Sequence, residues 1–136
     1  MGTRFVATEE SGAHPLYKQA IVDATGADTA LVTDYSVFWP DGAEPHRVLR
    51  TAVDMARSLD VDVVGEGTLF GERRPIPRFA ATPPTADMTG TIAAFPLYAG
   101  VSTGSIDRIE PAGDVVRRIV LGAEQLLRRR WTPDDA

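Results

Sequence analysis

No cysteine occurs among the 136 residues, and this excludes disulfides, thiol nucleophiles and thiolate-held zinc or iron–sulfur centres. Histidine is almost as scarce. His14 and His46 are the two present. Each stands beside a proline and neither sits at a metal-ligand spacing, so no metal site is expected. Long apolar runs are also missing. None approaches the roughly 20 residues of a membrane span, and the N-terminal residues lack the apolar core of a secretory signal. The expectation is a cytoplasmic protein with no membrane partner. Positive charge is in deficit, with 14 Lys and Arg against 19 Asp and Glu and a net charge of −5. That balance argues against general nucleic-acid binding. What remains, 43% hydrophobic and 24% charged, is enough for a packed domain of single-domain length.

The opening stretch, Met1-Gly2-Thr3-Arg4-Phe5-Val6, reads as a strand because Phe5 and Val6 are strand formers. Gly2 permits close backbone approach and Thr3 adds a hydroxyl, so this step reads either as an ordinary strand start or as a phosphate cradle. A small polar loop follows, Thr8-Glu9-Glu10-Ser11-Gly12-Ala13. A helix is then expected from Pro15 through Ala24, stopped by Gly26. The acidic pair Glu9-Glu10 suits the positive end of that helix. A strand, a polar loop and a helix make the junction at which parallel α/β folds bind ligands.

Residues 28–38 read as one strand or two short ones, and Trp39 to Pro45, with Pro40-Asp41-Gly42, as a turn. Residues 46–59 have mostly helical spacing, although the first few could extend a strand. Val61, Val63 and Val64 suggest a short strand broken by Gly65, Gly67 and Gly71. Arg73-Arg74-Pro75-Ile76-Pro77-Arg78 reads as a connector, either solvated or meeting a phosphate. No dinucleotide fingerprint surrounds the glycines. Residues 82–90 form a returning loop, and 91–99 a short helix ended by Pro96. A clear helix runs from Pro111 through Arg130, with Val115, Val116, Ile119, Val120, Ala123, Leu126 and Leu127 on one face. Its closing Arg128-Arg129-Arg130 suits the helix C-terminus rather than a nucleic-acid tail, and residues 131–136 should fray.

Two motifs carry more. The chain has Met1-Gly2-Thr3-Arg4-Phe5, Thr8-Glu9-Glu10-Ser11 and Tyr17-Lys18, and later Tyr98-Ala99-Gly100-Val101-Ser102-Thr103-Gly104. In this order they resemble the C-terminal portion of the nitronate monooxygenase (2-nitropropane dioxygenase) family. The resemblance implies an α/β fold: the last strand and helix of an FMN-binding TIM-barrel-like fold over residues 1–26. A small α/β substrate-side subdomain would follow over 27–84, and C-terminal helices returning to the barrel over 85–136. It implies FMN as cofactor, with Met1, Gly2 and Thr3 at its phosphate. Tyr98, Gly100 and Ser102 would stand on the substrate side. Alkyl nitronates and O₂ would be the substrates. The family carries Gln or Glu where this chain has Val101, so a hydrogen bond from that position is lost. The family's histidine base lies on an earlier barrel loop that neither His14 nor His46 matches, so no catalytic residue is carried over.

A complete (β/α)₈ barrel needs about 250 residues. The resemblance therefore implies a C-terminal part beginning at the eighth strand, with Met1 as an internal methionine and an N-terminal barrel portion as partner. Such a part should self-associate or fold loosely and bind FMN weakly or not at all, because its barrel-facing surfaces lack cover. Two alternatives remain: a non-enzymatic module docking on a separately encoded half-barrel, and an enoyl reductase on a related FMN barrel.

Overall fold

The computed structural model describes residues 1–39 and 44–130. The expected Pro40-Asp41-Gly42 turn and the expected fraying of 131–136 lie outside the described residues. The helices are α1 (Gly2–Val6), α2 (Pro15–Asp23), α3 (Arg50–Ser58) and α4 (Ala112–Arg130). The strands are β1 (Thr29–Val32), β2 (His46–Leu49), β3 (Val63–Leu69), β4 (Glu72–Pro77) and β5 (Thr89–Gly90). Short 3₁₀ turns occupy Gly26–Asp28, Ile92–Ala94 and Val101–Ser105. The architecture is mixed α/β, with one two-stranded and one three-stranded sheet, both antiparallel. No described helix is long and apolar enough to cross a membrane.

The expected first strand is instead a helix. Gly2–Val6 forms a single helical turn that buries no residue. Arg4 N–H donates to Met1 O at 3.1 Å and Ala7 N–H to Thr3 O at 3.3 Å. A strand needs neighbours for its backbone groups, and among the described residues no strand pairs with 3–6. The backbone therefore satisfies itself locally, and the β-preference of Phe5 and Val6 is overridden. Pairing begins only at Thr8, in an isolated parallel bridge to Glu110.

Helix α2 starts as the sequence indicates, with Pro15 in its first turn. His14 caps it, its ring nitrogen Nδ1 accepting from Leu16 N–H at 3.1 Å. The acidic pair does not serve α2. Glu10 reaches the start of α4, accepting from Ala112 N–H at 2.8 Å.

Strand β2 is the centre of the fold. Its four residues belong to a strand rather than to the helix that continues from Arg50. One edge pairs with β1, from Thr29 opposite Leu49 to Val32 opposite His46. The other edge takes residues 97–99: Leu49 N–H donates to Leu97 O at 2.8 Å and Ala99 N–H to Arg47 O at 3.1 Å. The expected helix over 91–99 is thus a 3₁₀ turn, and the residues beyond Pro96 are extended along β2. Residues 28–38 likewise yield β1 and then only a bridge from Val37 to Ala80. Val48 and Val53 face one core with Tyr35, Ile76, Met88 and Phe95. Leu49 and Ala52 face a second with Tyr17, Ile21, Leu97 and Ile106. The β2–α3 unit is a shared wall between the two.

Glycine does not break the strand near residue 65. β3 runs through Gly65 and Gly67 with β4 on one side and β5 on the other. Gly65 lies opposite Gly90, and a Cβ on Gly65 would come within 2.1 Å of Thr89 O. These glycines let the strands approach rather than interrupting them. A two-residue turn, Phe70 at φ +54° and Gly71 at φ +83°, closes the β3–β4 hairpin between Leu69 and Glu72. The arginine-rich connector is therefore β4. Arg73 pairs with Glu66 and Arg74 with Glu72, while Arg78 donates to Leu59 O. They serve the protein's own groups and do not converge on an anion.

Helix α4 forms as its periodicity indicates, but only its base is packed. Val115 is fully buried, whereas Leu126 and Leu127 are 65% and 68% exposed. Its base is held by Glu110, whose carboxylate receives Arg118 and lies near Arg108 and, at 3.7 Å, Arg4. The Arg118 hydrogen bond holds the Glu110 carboxyl below its ordinary value.

Candidate functional site

Helix α1 and the extended 98–100 segment face each other across an open, mainly apolar cleft of about 490 Å³. Gly2, Thr3 and Val6 form one wall, and Tyr98, Ala99 and Gly100 the other. Ala13 and Tyr17 close one end, while Arg47 and the Pro83-Pro84-Thr85 turn complete the rim.

The two walls are bonded directly. Gly100 N–H donates to Thr3 Oγ1 at 3.0 Å across 97 residues of sequence. Thr3 uses a lone pair in this bond. Its own hydroxyl proton has no acceptor among the described residues and is left to donate into the cleft. Gly100 leaves room there, since a Cβ at its position would stand 3.6 Å from Thr3 Oγ1.

The Tyr17-Lys18 pair fastens the cleft. Tyr17 OH donates to Tyr98 O at 2.6 Å. Lys18 Nζ donates to Thr8 O at 2.7 Å and Glu9 O at 3.1 Å, fixing the polar loop from below. Tyr98 OH donates to Ala81 O at 2.9 Å. Burial pushes both phenols above their ordinary value. Both tyrosines are therefore neutral at physiological pH with their protons committed, and they offer the cleft ring surface rather than acid–base chemistry.

Of the six residues singled out from sequence, Gly2, Thr3, Tyr98 and Gly100 meet at this cleft. Met1 is 79% exposed and does not line it. Ser102 is exposed in the 3₁₀ turn beyond, where its carbonyl accepts from Ser105 Oγ at 2.7 Å. Val101 is exposed too and stays outside the lining. Neither histidine lines the cleft, and no group of three or more metal-ligating side chains exists among the described residues. Sequence reading missed Tyr17 as a cleft residue, together with Arg47 and the Pro83-Pro84-Thr85 rim. Arg47 was findable: with residues 46–49 as a strand, it alternates with the core-facing Val48.

No family model matches the chain, and no curated protein matches it. Solved structures do, FabK among them. The M276A mutant of FabK from Thermotoga maritima is 25% identical with a TM-score of 0.55, over 95% of this chain and 34% of that one. FabK from Thermotoga maritima is 22% identical with a TM-score of 0.56, over 95% of this chain and 37% of that one. The chain thus spans about a third of the length of the solved proteins it matches, and it shares the fold of that third.

Proposed function

We propose that the chain is the C-terminal part of a flavin-dependent barrel oxidoreductase, and that the cleft is its share of the cofactor and substrate site. The observation that carries this is the Gly100 N–H to Thr3 Oγ1 bond. It joins, at one cleft, the two stretches that resemble nitronate monooxygenases. The likeness to a third of FabK supports a flavin-barrel origin. It also favours the enoyl reductase alternative at least as much as oxidation of alkyl nitronates by O₂.

The residues fit one end of FMN. Thr3 offers a free hydroxyl proton, Gly2 leaves open space where a Cβ would stand, and the cleft volume falls within the range of cofactor pockets. When bound, FMN would supply the electron transfer. The chain's own residues would do the rest. Thr3 would donate to a phosphate oxygen, and Tyr17, Tyr98 and the proline rim would exclude water. No cleft residue is suited to take a proton near neutral pH, so a general base would come from the N-terminal barrel portion. That portion would also cover α1 and the exposed face of α4.

The test combines desalting with amide NMR. The flavin bands should be lost when the protein is mixed with FMN and desalted. Millimolar FMN should nevertheless shift the Thr3 and Gly100 resonances. Near-stoichiometric flavin retention would overturn the partial-site reading. Unmoved Thr3 and Gly100 amides would overturn the assignment of the cleft.

A further inference from the structure

We infer that the cleft receives the oxyanion headgroup of a small organic ligand and that Arg47 anchors it. The inference rests on reading the cleft as a ligand site, as above, but it does not require the flavin.

Among the described residues Arg47 is the only charged one lining the cleft. Its guanidinium is tethered from the neighbouring strand, with Nη1 donating to Thr29 Oγ1 at 3.2 Å. Thr29 is buried, and its hydroxyl in turn donates to Gly26 O at 3.0 Å. This chain of bonds fixes the fork while leaving the other guanidinium N–H groups without an acceptor among the described residues. Among the described residues no carboxylate lines the cleft. The phenols of Tyr17 and Tyr98 have their protons committed to backbone carbonyls. An exposed planar cation at the rim of a mainly apolar cleft, with no carboxylate paired to it among the described residues, is a receptor for a carboxylate-like oxyanion. The proline rim and the tyrosine rings would then hold an apolar tail. A phosphate group shares the oxyanion chemistry, so the identity of the headgroup is part of the test.

Ligand-observed saturation-transfer NMR on the full chain reads millimolar binding and tolerates self-association. The probes are butyrate, its neutral isostere butyramide, and inorganic phosphate as competitor. Butyrate should bind saturably and butyramide far more weakly. Arg47→Gln should weaken butyrate about tenfold or more and leave butyramide unchanged. Arg47→Lys, which keeps the charge but loses the fork, should fall between. Arg47 is exposed on its strand, so circular dichroism should show both variants folded. Equal binding of butyrate and butyramide, or butyrate binding insensitive to Arg47→Gln, would overturn the inference. Phosphate displacing butyrate at lower concentration than butyrate itself binds would assign Arg47 to a cofactor phosphate and overturn the organic-headgroup reading. Arg47-dependent butyrate binding with no FMN response at Thr3 or Gly100 would remove the flavin reading alone.

Discussion

Helices α3 and α4 are both amphipathic, yet their apolar faces meet opposite fates. In α3, Ala52, Val53 and Ala56 are buried between two cores. In α4 only Val115 is covered, and Val116, Ile119, Val120, Leu126 and Leu127 face outward over the rest of a 19-residue helix. The helical period gives the shape of a face and not its cover. α3 gains its stability from within the chain. α4 is a good helix whose apolar stripe is unused, and apolar surface of that kind drives association.

The largest effect should come from α3. Val53→Asp places an unpaired charge at a site that is 1% exposed and should cost about 4 kcal/mol. Thermal unfolding followed by circular dichroism should show a midpoint lowered by roughly 10 °C or more, or no cooperative transition at all. A Val53→Asp protein that melts like the wild type would erase the contrast between the two helices.

An intermediate effect, on a different observable, is expected from α4. Leu126→Glu with Leu127→Glu should change stability by no more than about 0.5 kcal/mol, because both sites are exposed and glutamate is a good helix former. It should shift sedimentation velocity profiles toward monomer. Unchanged association would place the sticky surface elsewhere.

Glu110→Gln should act least, at the joint that holds α4 to the rest. Removing the carboxylate that Arg118 grips should raise hydrogen exchange in the first turn of α4. The folded carboxyl sits below its ordinary 4.5. Its contribution is therefore fully present above that value and is lost as pH falls through the lowered folded one. The melting-temperature lead of wild type over Glu110→Gln should be constant near neutrality and shrink in acid. A lead that grew in acid would reverse the assigned sign.

The parts that were legible in sequence are those decided by local chemistry. Pro15 marked the start of α2, and the spacing of Val115 through Leu127 marked α4. Spacing cannot bring residue 3 to residue 100, and the resemblance assigned Gly2 and Thr3 to a cofactor and Tyr98 and Gly100 to the substrate side without joining them by a bond. What was missed depended on neighbours. Phe5 and Val6 prefer strand, but among the described residues no strand pairs with them. Gly65 looks like a breaker until Gly90 is seen pressed against it. Arg47 stood in a segment of mostly helical spacing whose first residues could extend a strand, and only the β2 register places it at the cleft.

The Gly100 to Thr3 bond has a further consequence, for the order in which the molecule is assembled. The β3–β4 hairpin closes between Val63 and Pro77, whereas the cleft unites residues 97 apart, and the Thr8–Glu110 bridge is of the same long range. Closing so long a loop carries an entropic cost that local contacts do not share. During synthesis the hairpin can form while the later residues are still inside the ribosome, but the cleft must wait until Gly100 has emerged. The cleft thus forms after the hairpin, and a nascent chain stopped at residue 96 would have its hairpin but lack the Tyr98 to Gly100 wall of the cleft.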